Sequence, residues 1–141
     1  MKYWKLLALI SLGVASLNGC SKPSIVTGEV KFEDGSPLMY GRVNFEPTEG
    51  AVGFWGQLTE DGTFAVDPAL TPHAGEYVVT LAGASSPEVF EDDPKGQSHK
   101  VKFPSKPLVD AKKYGDAKAS PLKATIEPGK NELTFTVDRL P

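Results

Sequence analysis

Apolar and polar residues alternate with a period of two along most of this chain, the spacing that puts successive side chains on opposite faces of a β-strand. Val26, Gly28, Val30 and Phe32 share one parity, and Thr27, Glu29 and Lys31 share the other, which predicts a half-buried strand. Asp34-Gly35-Ser36-Pro37 ends it with turn chemistry. Val43 and Phe45 then alternate with Arg42, Asn44 and Glu46 until Pro47 stops the run.

The stretch Gly56 to Leu81 organises the middle of the chain. Gln57-Leu58-Thr59 and Phe64-Ala65-Val66 alternate on either side of Glu60-Asp61-Gly62. An Asp-Gly pair between alternating runs predicts a hairpin, because glycine takes the positive φ that such turns need. Tyr77, Val79 and Leu81 then define the inner face of a further strand. Near the end, Leu122, Ala124 and Ile126 precede Pro128-Gly129-Lys130-Asn131, and Leu133, Phe135 and Val137 follow it. That pattern predicts a second hairpin. Parity places Phe54 inward and Trp55 outward beside Gln57 and Thr59, and a bulge at Gly56 would exchange the two aromatics.

Between residues 84 and 121 the alternation fails. Five prolines interrupt it, at 87, 94, 104, 107 and 121, and Glu91-Asp92-Asp93 is followed by a lysine-dotted run. Only Val101 and Phe103, flanked by Lys100 and Lys102, suggest a short strand there, with the lysines typical of a protected sheet edge. The expectation is a long irregular insertion, functional or loosely ordered.

Composition fits many short strands joined by tight turns. The 141 residues include 14 glycines and 12 prolines, and no window outside the first residues reads as a long amphipathic helix. With 18 acidic residues against 15 basic ones there is no basic surplus of the kind nucleic acid demands. Cys20 is the only cysteine, so an intramolecular disulfide is impossible and the core must hold the domain. A chain of this length buries roughly two thirds of its unfolded surface, which suffices.

The N-terminus reads as an address. Met1-Lys2-Tyr3-Trp4-Lys5 is a basic opening, Leu6 to Val14 is a short apolar run, and Ser21-Lys22-Pro23-Ser24 is polar. An apolar run this short predicts a secretory leader rather than a membrane span. Leu17, Gly19 and Cys20 resemble the bacterial lipobox, with Asn18 at a position where small residues are usual. That resemblance implies a lipoprotein signal peptide over 1–19, acylation of Cys20, and a tether over 20–24. Ser21 stands where an aspartate would favour retention in the inner membrane, so the outer membrane is the expected destination. Loss of Lys2 and Lys5 with the leader takes the basic count from 15 to 13 against 18 acidic residues, a net charge of −5.

The motifs of the mature region also resemble a known family. Gly28-Glu-Val-x-Phe, Asp34-Gly35-Ser-Pro37-Leu38 and Gly41-x-Val43-x-Phe45 are similar to the opening of carboxypeptidase-regulatory-like domains of the transthyretin-like superfamily. Thr59-Glu60-Asp61-Gly62-Thr63-Phe64 resembles their second hairpin, and Gly75-Glu76-Tyr77-x-Val79 a strand start in which Ala74 replaces the usual proline. Lys113-Tyr114, Ser120-Pro121-Leu122 and Gly129-Lys-Asn131-x-x-x-Phe135 resemble the version found in small secreted bacterial lipoproteins. The resemblance implies an accessory, non-enzymatic sandwich.

Candidate chemistry is sparse. His73 and His99 are the only histidines, and Ser85 and Ser86 lack a nucleophile-elbow motif, so surface loop residues are the default. No His/Cys cluster suggests zinc, and Glu91-Asp92-Asp93 lacks the spacing of a calcium loop. An isopeptide bond between Lys31 and Asn131 is disfavoured by the outward parity of Lys31. Trp55 has two possible roles. It could be a stacking platform for sugar rings, with Gln57 and Thr59 beside it. The simpler expectation is that it covers a core edge beneath the 84–121 insertion.

The sequence therefore predicts an all-β protein: a single antiparallel β-sandwich of about seven strands over 25–141, following the signal peptide and tether. The expected function is a membrane-anchored, non-enzymatic binding or structural module of the bacterial envelope, facing the periplasm or cell surface. Its expected partners are the membrane through Cys20 and an envelope protein or glycan, without nucleic acid, metal or cofactor. The alternative is a carbohydrate- or peptidoglycan-binding module built on Trp55, Gln57 and Thr59.

Overall fold

A computed structural model describes residues 22–92, 99–103 and 105–141, with the backbone alone described at 90–92, 99–101 and 103. Cys20 and the leader lie outside the described residues. Nine strands follow in chain order: β1 (Ser24–Phe32), β2 (Arg42–Pro47), β3 (Phe54–Gln57), β4 (Thr63–Ala65), β5 (Gly75–Ala82), β6 (Val89–Asp92), β7 (His99–Phe103), β8 (Lys123–Ile126) and β9 (Gly129–Val137). Helix α1 (Ala111–Tyr114) is a single turn. Seven of the strands form two sheets, in the orders β4-β1-β9 and β3-β2-β5-β8, while β6 and β7 pair separately.

Each strand of the two sheets buries the parity that its sequence assigns. Val26, Val30 and Phe32 of β1 are buried, as are Val43 and Phe45 of β2 and Tyr77, Val79 and Leu81 of β5. Phe54 is buried and Trp55 is exposed, so no bulge exchanges them. The two sheets face each other across an aromatic cluster. Phe45 stacks on Phe54 of its own sheet at 4.7 Å and meets Phe64 and Phe135 of the opposite sheet at 5.9 and 6.3 Å. Offset and edge contacts of this kind add to the burial of each ring. Phe64 is seated over Gly28 and Gly56, where a Cβ would come within 2.7 and 2.9 Å of its ring.

Strand pairing departs from expectation in three places. The Gln57–Val66 segment is not a ladder hairpin. Its turn exists, with Gly62 at φ +71° and its amide donating to the Thr59 carbonyl at 2.9 Å. Its arms separate, however, β3 into the four-stranded sheet and β4 into the three-stranded one, joined by the Thr59 amide donating to the Thr63 carbonyl at 2.9 Å and by a bridge between Gly56 and Val66. The second expected hairpin separates in the same way, with β8 pairing β5 and β9 pairing β1. The third departure is that β1 and β9 run parallel, from Ser24 opposite Gly129 to Phe32 opposite Val137, so the sandwich is mixed rather than wholly antiparallel. Both arms of each turn point apolar faces at one core, and that requirement is met equally by adjacent strands or by strands on opposite walls.

The two crossings are held by different devices. At the first, the Val30 amide donates to the Gly62 carbonyl at 2.8 Å, and a Cβ on Gly62 would lie 2.7 Å from Pro37 Cβ. At the second, buried Asn131 fastens the turn. Its Oδ1 accepts from the Glu127 amide at 2.9 Å, and its Nδ2 donates to the carbonyls of Glu127, Gly129 and Ile25 at 2.8, 3.0 and 3.2 Å.

The 84–121 insertion, expected to be irregular, carries β6, β7 and α1. Buried Val109 and Tyr114 join it to the core. The Tyr114 hydroxyl donates to Asp138 Oδ2 at 3.0 Å and accepts from the Asp138 amide at 3.1 Å, and Lys113 pairs with the same carboxylate. At the same end Arg139 lies 3.8 Å over the Phe32 ring and donates to Ser36 Oγ at 2.7 Å, while Ser36 donates to Asp34.

Gly62→Val should cost about 2–5 kcal/mol, combining left-handed strain with contact against Pro37 and Val30. Phe135→Ala should cost about 3–5 kcal/mol. Urea melts measure both, and an unchanged midpoint for Gly62→Val would mean that the crossing is not a constraint on the fold.

The two carboxylates at the α1 end set an acid limit. Asp138 is held below the usual carboxylate range by hydrogen bonds from Lys113 and then Tyr114, and Asp34 by those from the Ser36 hydroxyl and amide, with Arg139 adding a smaller charge effect. Groups with depressed folded values stabilise fully above the unfolded value near ~4 and lose that contribution as pH falls through the folded value. Lys113, raised by its bond to Asp138, acts in the opposite sense, losing its contribution only as pH rises past ~10.4. Melting temperature should therefore hold steady from neutral pH to ~5 and decline below ~4. Asp138→Asn should shallow that decline, and identical acid profiles for variant and wild type would refute the assignment.

Candidate functional site

The outer face of the four-stranded sheet is where polar and aromatic residues converge. Trp55 on β3 lies opposite Asn44 on β2, which lies opposite Thr80 on β5. Arg42 sits two positions before Asn44, on the diagonal from Trp55, a separation that long side chains span. Its guanidinium carbon lies 5.6 Å from the Trp55 ring centroid. Trp55 keeps 43% of its surface exposed. The expectation that the insertion buries it is therefore corrected: the ring has solvent on one side and Arg42 against it. A tryptophan on the outward parity of an edge strand has no neighbouring strand on one flank to cover it.

Next to this pair lies a cleft of about 530 Å³ lined by Tyr40, Arg42, Gln57, Ser85 and Pro87, among others. Gln57 is Arg42's register partner and donates from Nε2 to the Gly41 carbonyl at 2.7 Å, which fixes the amide at the cleft wall. Behind it, Asn44 Nδ2 donates to Thr80 Oγ1 at 3.4 Å, and Thr80 donates to Glu46 Oε1 at 3.4 Å. Thr80 is 1% exposed, so this network stiffens the platform and offers no surface of its own.

Of the three residues that the sequence nominates for a ligand surface, two come together and one does not. Trp55 and Gln57 both neighbour Arg42. Thr59 belongs to the crossing turn, where its hydroxyl bonds that of Thr63 at 2.8 Å, on a strand of the other sheet. The sequence does not single out Arg42 or Tyr40. The outward parity of Arg42 is legible in the sequence, but its apposition to Trp55 depends on the β2–β3 register.

The other candidates do not assemble. His73 precedes β5 and Ser85 and Ser86 follow it, so eight strand residues, about 27 Å, separate them. Ser86 Oγ accepts from the Lys106 amide at 3.0 Å, a structural bond. His99 lies on β7, described by backbone alone. Lys31 and Asn131 are five register positions apart on β1 and β9, about 17 Å, and Lys31 pairs with Glu29 at 3.5 Å. Among the described residues no group of three or more His, Cys, Asp or Glu side chains could hold a metal ion. The side chains of the Glu91–Asp93 run lie outside the description.

No family model matches the chain, and no curated protein matches it. Among solved structures, the crystal structure of a 9R-lipoxygenase from Cyanothece PCC8801 is similar over 85% of this chain, at 13% identity and a TM-score of 0.36. The chain spans 17% of that lipoxygenase's length. A likeness this weak carries no argument about fold or chemistry, so the site rests on its own geometry.

That geometry offers an apolar indole face, a guanidinium with five donors and a fixed amide. It suits a ring stacked on Trp55 and an acceptor group held by Arg42. Acrylamide should quench Trp55 readily, and Trp4 does not confuse the signal if it leaves with the leader. Trp55→Ala should cost only ~1 kcal/mol in a urea melt, well below the ~3–5 kcal/mol of a buried aromatic. A shielded ring whose loss costs as much as Phe135→Ala would contradict the exposed geometry.

Proposed function

We propose that this chain is a non-enzymatic, lipid-anchored envelope module that binds carbohydrate through Trp55, Arg42 and Gln57. The observation that carries the binding role is the exposed Trp55 ring with Arg42, which lines the neighbouring cleft, beside it at 5.6 Å. Stacking on tryptophan tolerates many pyranoses, and the guanidinium adds preference for a carboxylate-bearing sugar, such as a uronic acid or a lactyl-substituted peptidoglycan sugar. The anchor is supported by the lipobox-like Leu17-Asn18-Gly19-Cys20 after a short apolar run, with Ser21 favouring the outer membrane.

Placement in the carboxypeptidase-regulatory-like group belongs to the same proposal. Its support is the seven-stranded pair of sheets together with the positions of the resembling motifs, which fall on β1, β2, the Gly62 crossing and the start of β5. The non-enzymatic character is supported by the separation of His73 from Ser85 and Ser86.

Two measurements test the proposal. In cells fed a radioactive fatty acid, wild type should take up label and Cys20→Ser should not, and equal label on both would remove the anchor. On a glycan array the protein should retain acidic glycans. Trp55→Ala should abolish retention, while Arg42→Gln should erase the preference for acidic over neutral members. Binding that survives Trp55→Ala would place the ligand elsewhere.

A further inference from the structure

The end of the sandwich opposite the Trp55–Arg42 site carries an apolar cleft of about 450 Å³, and the described chain enters beside it. Pro23, Ile25, Pro68, Pro72 and Pro128 line it with Lys22, and no acidic residue does, although the mature region carries 18 acidic residues. Ile25 is 51% exposed on the outward parity of β1, which adds an apolar side chain to this rim. Prolines are fixed in φ, so this rim is shaped before anything meets it.

The tether is shorter than the sequence suggests. The Gly129 amide donates to the Pro23 carbonyl at 3.2 Å, and Ser24 Oγ donates to the Glu127 carbonyl at 3.0 Å. The chain is therefore fastened to the β8–β9 turn from Pro23 onward, leaving only Ser21 and Lys22 between Cys20 and the folded body. Three residue steps span at most about 11 Å. The polar layer on each side of a bilayer is about 5–8 Å thick, so a domain held at Cys20 stays within a few ångströms of it even with the tether fully extended.

We infer that this proline-rimmed end is seated on the bilayer, with Ile25 and the cleft at the headgroup–acyl boundary and Lys22 among anionic headgroups. The inference rests on the lipid-anchor proposal and adds to it an orientation. Trp55 lies in register with Thr80, five residues along β5 from Gly75, so the recognition site stands about 17 Å farther from the membrane. Anchor and recognition site thus occupy opposite ends of the same sheets.

The test uses full protein purified from membranes and returned to vesicles of phosphatidylethanolamine and phosphatidylglycerol containing brominated lipid, which quenches tryptophan at short range. Mass spectrometry first reports whether Cys20 is acylated. Wild type reports from Trp55, and the double variant Ile25→Trp with Trp55→Phe reports from the cleft end. The cleft-end reporter should be quenched several-fold more than Trp55. Equal or absent quenching at position 25 in an acylated protein overturns the orientation and leaves the anchor standing. A mass showing no acyl group overturns both. A second version of each reporter protein, with about ten Gly and Ser residues inserted between Lys22 and Pro23, lengthens the tether and leaves the lipobox intact. The quenching difference should persist in it, and its disappearance would show that tether length alone had produced it.

Discussion

Everything in this protein depends on Phe45 touching both walls of the sandwich. Its ring stacks on Phe54 within one sheet and meets Phe64 and Phe135 of the other, with Tyr77 edge-on at 6.4 Å. Without a disulfide, this cluster is the main cohesion between two sheets that share few backbone hydrogen bonds. Gly28 and Gly56 give up side chains so that Phe64 can sit between them. The outer surface inherits its geometry from that arrangement. Phe54 turned inward is what forces Trp55 outward.

The chain meets the problem of open sheet edges by crossing between walls. Edge strands β3 and β4 come from the two sheets and are drawn together by the Gly62 turn and the Gly56–Val66 bridge. On the other flank, the turn between β8 and β9 does the same work, fastened by Asn131. Exposed edges are a hazard for pairing between molecules, and edges tied to each other are protected from it. The parallel pairing of β1 with β9 follows from these crossings, because it lets both chain ends of the domain lie in one sheet.

The ends of the sandwich have different chemistries, a division that the proposed membrane orientation would use. One end is proline-rich and adjoins the residues that follow Cys20. The other gathers Asp34, Arg139, Asp138, Lys113 and Tyr114 into a polar closure, and on that half of the four-stranded sheet Trp55 meets Arg42.

Strand identity and facing were determined locally. A period of two at Val26–Phe32 or Tyr77–Leu81 fixes which side chains are buried whatever the neighbours are, and Asp61-Gly62 fixes a turn by the φ that only glycine takes easily. Pairing was decided only in three dimensions. Alternation encodes a face and says nothing of which strand lies alongside, so Phe64 could equally have paired back on Leu58 or crossed to β1. The same limit applies at the site. Trp55's outward direction could be read from Phe54, but its exposure required knowing that β3 is an edge strand. Its contact with Arg42, thirteen residues earlier, required the β2–β3 register. Val26 opposite Asn131 lies beyond any local signal, because parallel neighbours so far apart in sequence are selected by the packing of the whole core.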